Sequence, residues 1–291
     1  MSDTASRPAW SAAFAPNSLP ALQPVPALDD LTPEWAWGGS TGTGIKVAVI
    51  DSGINADHPA VGGVQGYVAV GETRKGEMTY DEAPHADLYG HGTACAGIIR
   101  SLAPNCELYS VRVLGADLTG RGVVFAAGLR WAIEQGMHVC NLSLSTGRAE
   151  FFGLFHELAD LAYFRHVALV CAANNVAGPS YPSLYAAVFS VAAHEGHDPE
   201  SLYYNPSPPV EFGAPGIDLP VAWADGGTIT ATGNSFATPH IAGIIARILG
   251  KHPGLTVFQV KTVLRAVARN IARDVSAETP HADGARTHPS G

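Results

Sequence analysis

Apolar positions along the chain change from scattered to periodic near residue 45. IKVAVI (45–50) is a short, nearly continuous apolar run, the pattern of a strand buried on both faces. LYSVRVL (108–114), MHVCNLSL (137–144), VALVCAA (167–173) and VFSVAAH (188–194) repeat it. Between them, VVFAAGLRWAIEQG (123–136) has helical spacing and ends at a glycine, and ELADLAYFRH (157–166) is a second helical stretch. SFATPHIAGIIARILGKHP (235–253) opens a long apolar helix, and TVFQVKTVLRAVARNI (256–271) reads as a closing one. Strands alternating with helices predict a three-layer α/β/α fold with a mainly parallel central sheet. Residues 1–40, rich in Pro, Ala and Ser, read as an irregular arm, 41–271 as one periodic domain, and 272–291 as a loose polar tail.

Composition narrows the function classes. A hydrophobic content of 46% against 15% charged residues describes a globular chain with a sizeable core. The formal net charge of −9 repels phosphate backbones and anionic lipid, so neither nucleic acid nor membrane is an expected partner. No basic start followed by an apolar run is read at the N-terminus. Cys95, Cys106, Cys140 and Cys171 lie far apart and lack metal-ligand spacing, which together with the N-terminus sets a cytoplasmic location as the expectation.

Three short motifs carry the chemistry. Ile50-Asp51-Ser52-Gly53-Ile54 puts a carboxylate at the C-terminal end of a buried strand, where α/β proteins place their sites. Gly90-His91-Gly92-Thr93 puts a histidine between glycines at a helix start, open to close approach by another segment. Thr232-Gly233-Asn234-Ser235-Phe236-Ala237-Thr238-Pro239-His240 puts a serine at the positive end of a helix. Each alone reads more readily as a cap, a turn or a structural histidine than as a catalytic group.

Taken together, VAVIDSGI, GHGTACAGII and GNSFATPHIAG resemble the Asp, His and Ser boxes of the subtilisin-like (subtilase) family, in that family's chain order. LYSVRVLGADLTGRG, GLRWAIEQGMHVCNLSLS and FGAPG (212–216, similar to an Ala-Pro-Gly turn) extend the resemblance over about residues 42–270. It implies a serine endopeptidase acting on peptides or proteins without a cofactor, with Asp51, His91 and Ser235 as catalytic triad. It further implies Asn175, in VCAANN, as the oxyanion donor, and Leu118-Thr119-Gly120 and Ser143-Leu144-Ser145 as extended edges that hold the substrate backbone. The limb of its pH profile is expected near the reference histidine pKa of about 6.5.

The chain departs from the family pattern at several points. Asn234 stands where Thr usually precedes the nucleophile, Phe236 where Met is common, and Asn174 where Gly lines the primary specificity pocket. Many members bind calcium through a loop after the His helix, but here Ile99-Arg100-Ser101-Leu102-Ala103-Pro104 runs almost directly into the next strand. Ala60 replaces the helper Asp, so no metal is expected there. Neither a signal nor a folding-assisting pro-domain is read ahead of Asp51. An alternative with the same triad is a protease dedicated to one precursor peptide, removing its leader or ligating the precursor in peptide natural-product maturation.

Overall fold

The computed structural model describes residues 25–207 and 209–272. The rest of the arm (1–24) and the tail beyond 272 lie outside the described residues. Among the described residues, a 3-10 turn at Leu28–Asp30 leads into a short helix, α1 (Pro33–Trp37). The strands β1 (Lys46–Asp51), β2 (Gly66–Glu72) and β3 (Met78–Asp81) follow, then α2 (His91–Leu102), β4 (Glu107–Arg112) and α3 (Gly122–Glu134). Next come β5 (Val139–Leu142), α4 (Phe152–Phe164), β6 (Ala168–Ala172), β7 (Phe189–His194), β8 (Tyr203–Tyr204) and β9 (Phe212–Pro215). The chain closes with β10 (Leu219–Ala222), β11 (Thr228–Ala231), α5 (Asn234–Lys251) and α6 (Val257–Ala266).

Nine strands form one sheet in the order β3-β2-β4-β1-β5-β6-β7-β9-β8. All pairings from β2 to β9 are parallel, and only the edge strands β3 and β8 run antiparallel. The alternation of side chains explains the continuous apolar runs. Val47 and Val49 of β1 face the core built with α2, α5 and α6, while Ala48 and Ile50 face the core built with α3 and α4. Two covered faces make three layers, α/β/α, as the sequence predicts. The central β1 therefore ends with Asp51 in the middle of the sheet, buried and wholly inaccessible.

The structure departs from the sequence reading in four places. Within the arm, residues 33–37 form α1, and Leu31, Ala36 and Trp37 belong to the main core. Thr32 caps that helix by accepting from Trp35 N–H, with Pro33 at its first position. FGAPG is mostly strand: Phe212–Pro215 is β9, paired in parallel with β7. Two hairpin-like pairs, β2–β3 and β10–β11, went unread. Helix α4 begins at Phe152, five residues before the expected Glu157, because Phe155 also packs into the α3–α4 core.

Candidate active site

Glycine lets the first two motifs meet. A Cβ on Gly92 would lie 2.0 Å from Gly53 O and 3.1 Å from Asp51 Cβ, so only glycine allows α2 to start against the end of β1. The cap Gly90 has φ 120°, and a Cβ there would also strike Trp223. His91 consequently begins α2 with its Nδ1 2.9 Å from both Asp51 oxygens, and the ring is 5% exposed. Nδ1 donates to the carboxylate, which leaves Nε2 as the basic nitrogen of the neutral ring.

A second carboxylate supports this junction. Asp87 accepts from the amides of Tyr89, Gly90 and Thr93 and from the hydroxyls of Ser52 and Thr93, at 2.6–3.0 Å. It thus caps the N-terminus of α2, where negative charge is favoured, and ties it to the residue after Asp51. Burial by itself would lower the His91 pKa. The charge and hydrogen bond of Asp51, with a smaller push from Asp87, outweigh it and hold His91 above the ordinary histidine value.

The third motif opens α5. Ser235 is the second residue of the helix, so its backbone N–H has no intrahelical partner. The ring of Phe236, next in sequence, lies 5.3 Å from the His91 ring. Ser143 Oγ donates to Ser235 O at 2.7 Å and pins the nucleophile's backbone to the end of β5. A Cβ on Gly233 would sit 3.2 Å from Ser235 Oγ and 3.7 Å from Asn175 Nδ2. Both polar atoms therefore face the one small space that Gly233 keeps clear.

The orientation of Asn175 is fixed from behind, because its Oδ1 accepts from Asn234 N–H at 3.0 Å. Asn234 is itself spent on bracing. Its Oδ1 accepts from Ala193 N–H at 2.9 Å, and its Nδ2 donates to Ala173 O at 3.1 Å and Asn174 O at 3.2 Å. The departure from Thr thus lets one carboxamide tie β7, the segment after β6 and the start of α5 together.

Two other groups near the triad are chemically quiet. Cys95 Sγ lies 3.2 Å from Ser143 Oγ and 3.9 Å from Asp51 Oδ2. Burial and the Asp51 charge push its pKa well up, so it remains a neutral thiol rather than a nucleophile or thiolate ligand. His240 donates from Nδ1 to Phe236 O at 3.0 Å, and burial lowers its pKa to about 4, so it is a neutral structural residue.

The expected substrate edges flank a cavity of about 820 Å³ reached by His91. Leu114, Leu118, Val123, Phe125, Leu144 and Phe151 give it apolar walls. The first edge is less extended than expected: Leu118 has φ 58°, and the Thr119 backbone is tied into a turn with Gly115 and Asp117. The Ser143 side chain points inward to the Ser235 carbonyl, which leaves its backbone for a ligand.

The junction after α2 shows how the chain manages without the family's calcium loop. Arg100 donates to Val61 O at 2.8 Å, Pro104 O at 2.8 Å, Cys106 O at 2.7 Å and Gly63 O at 3.2 Å. A guanidinium thus takes the carbonyl oxygens at this junction, beside the negative end of α2. Calcium wants six to eight oxygens and no adjacent cation, so these residues do not fit it. Arg100→Met is expected to destabilise the protein by about 1–2 kcal/mol, because three part-buried carbonyls lose charged donors. Thermal unfolding of a Ser235→Ala background, which avoids self-digestion, checks this. In that background with Arg100 intact, millimolar calcium against EGTA is expected to leave the melting temperature nearly unchanged. A large rise, together with an ion located between residues 99 and 106, would place a cation site here after all.

Comparison with known proteins agrees with this geometry. The family model of Peptidase S8, the subtilase family, matches residues 42–286. Subtilisin BL of Lederbergia lenta is 34% identical over 247 residues, covering 80% of this chain and 86% of the relative. An alkaline protease of Alkalihalobacillus alcalophilus is 33% identical over 245 residues, and the match spans 80% of this chain but only 61% of that protein's length. Among solved structures, a cold-adapted subtilisin-like serine proteinase superposes with a TM-score of 0.62 at 28% identity, over 76% of this chain and 81% of that one. The chain belongs to the subtilase family of serine endopeptidases.

Proposed function

We propose that peptide-bond hydrolysis by this serine endopeptidase is carried by Asp51, His91, Ser235 and Asn175. The observation that carries the assignment is the convergence of Ser235 Oγ and Asn175 Nδ2 on the space above Gly233, beside a histidine held by a buried carboxylate. Ser235 Oγ attacks the substrate carbonyl while His91 Nε2 takes its proton. Asp51 holds the ring in the tautomer that exposes Nε2 and stabilises the imidazolium that forms. The oxyanion accepts from Asn175 Nδ2 and from the free N–H of Ser235 at the start of α5. His91 then protonates the leaving amine, and water repeats the sequence on the acyl-enzyme.

The substrate is a peptide or an accessible protein segment. Its backbone lies along Ser143–Ser145, with the turn at Leu118–Gly120 opposite, and its side chains enter the cavity between them. No helix among the described residues is long and apolar enough to cross a membrane. The relatives named above are a subtilisin and an alkaline protease, and nothing in those names favours the alternative of a single dedicated precursor.

The raised His91 pKa sets the pH response. His91 acts as base only when neutral, so kcat/KM is low below its pKa and rises as pH passes through it. Because the shift is upward, the midpoint is expected above the ordinary value of about 6.5 rather than at it. Initial rates on one peptide ester from pH 5 to 10 test this. A flat profile, or a midpoint below 6.5, contradicts the role given to His91 and its partner Asp51.

A further inference from the structure

The segments that leave β5 and β6 run side by side past the nucleophile, and the slot between them is closed. Ser145 Oγ donates to Asn174 Oδ1 at 2.6 Å, and Asn174 Nδ2 donates to Pro179 O at 2.7 Å. Ser180 Oγ accepts from Asn174 N–H at 3.1 Å and donates to Ser145 Oγ at 3.1 Å. Thr146 and Tyr181 exchange both backbone hydrogen bonds, at 2.9 and 2.8 Å, and lock the outer end. A carboxamide therefore spans the slot from one wall to the other.

This slot is where the acyl residue of a substrate must put its side chain. The scissile carbonyl carbon lies at Ser235 Oγ with its oxygen toward Asn175 Nδ2, and the acyl Cα is about 1.5 Å further on. Asn174 directly precedes Asn175, and Ser143–Ser145 forms the opposite wall. On its other flank, the 143–145 segment borders the cavity of about 820 Å³, which lies further along the peptide. A methyl or hydroxymethyl group fits against the Asn174–Ser145 bridge without disturbing it. A phenyl or isobutyl group has to displace a carboxamide whose oxygen and one of whose N–H groups are both satisfied, breaking its bonds with Ser145 Oγ and Pro179 O. No ionised group is among those spanning the slot, so a charged side chain finds no partner there.

We propose that this protease cleaves after residues with small side chains, glycine, alanine or serine, and that Asn174 is the residue that determines this preference. The proposal rests on the catalytic reading given above. It carries the consequence that the slot should accept larger groups once the carboxamide is removed.

The test uses peptide anilides identical except for the acyl residue, Gly, Ala, Ser, Leu or Phe, with the full-length enzyme and its Asn174→Gly variant. For the unaltered enzyme, kcat/KM for Ala is expected to exceed that for Phe by at least about tenfold. In Asn174→Gly the Phe-to-Ala ratio is expected to rise by about tenfold or more. Ser145→Ala removes the other end of the bridge and is expected to shift the ratio the same way, which covers failure of the glycine variant to fold. Preference of the unaltered enzyme for Phe or Leu, or an unchanged ratio in both variants, overturns the proposal. Labelling with a fluorophosphonate, run in parallel, separates the two levels. An enzyme that is labelled but prefers large residues loses only this inference, whereas one that is neither labelled nor active on any peptide loses the catalytic reading as well.

Discussion

Ser235→Ala is expected to abolish peptidase turnover, with a loss on the order of 10⁶ in kcat, while the protein stays folded. That magnitude is the one known for subtilisin, a member of the same family, and is carried over rather than derived from these distances. The fold should survive for local reasons. What holds this corner together is the Ser235 carbonyl, which accepts from Ser143 Oγ at 2.7 Å, and the Asn234 side chain; neither depends on the Ser235 hydroxyl. The stability change is therefore expected within about 0.5 kcal/mol. His91→Ala should cost about as much activity, because the triad acts as a unit, and the double variant should be little worse than either single one. Its stability should fall further, since it leaves Asp51 fully buried without the ring that satisfied it. Peptide hydrolysis and thermal unfolding on the same preparations check both halves. Retained turnover in folded Ser235→Ala removes Ser235 from the role of nucleophile.

Asn175→Ala is expected to lower kcat by about 10²–10³ with little change in KM, again a magnitude established on subtilisin. The reasoning here is geometric. Asn175 Oδ1 is committed to Asn234 N–H, so Nδ2 is the atom left to face Ser235. A donor aimed at charge that develops only in the transition state affects kcat and leaves ground-state binding almost untouched. Asn234→Ala should give a smaller fall in kcat, because it loosens the support of Asn175 without removing the donor. Steady-state kinetics on one peptide substrate separates the cases. A change confined to KM in Asn175→Ala means that the oxyanion donor lies elsewhere.

The central architecture was legible because burial on both faces writes itself as uninterrupted apolar runs, as in IKVAVI and VALVCAA. The edges were not. The β2 strand has only two buried positions among half-buried ones, and β3 is nearly all exposed, so neither gives a clean period. Helix α1 is only five residues long and sits in a Pro- and Ala-rich stretch, yet Trp37 and Leu31 are buried by contacts with distant helices that no local pattern reveals. At the site, the residues of the three boxes were legible because each sits at the end or start of a regular element. Asp87 was not: it lies in the irregular stretch before α2, and its function arises from five converging donors rather than from its neighbours in sequence. Its position four residues ahead of His91, at a helix start, was the available signal. The same holds for Arg100, whose meaning appears only when the carbonyls of residues 61, 63, 104 and 106 come together.

The most direct measurement of the account is covalent labelling by a fluorophosphonate, followed by mass mapping of the modified peptide. The reagent mimics the tetrahedral acyl intermediate and needs an activated serine, a working base and an oxyanion site together. The account predicts stoichiometric modification at Ser235 in the native protein, none in Ser235→Ala, and strongly slowed labelling in His91→Ala. Labelling at another serine, or labelling of Ser235 that is as fast in His91→Ala as in the native protein, would contradict it.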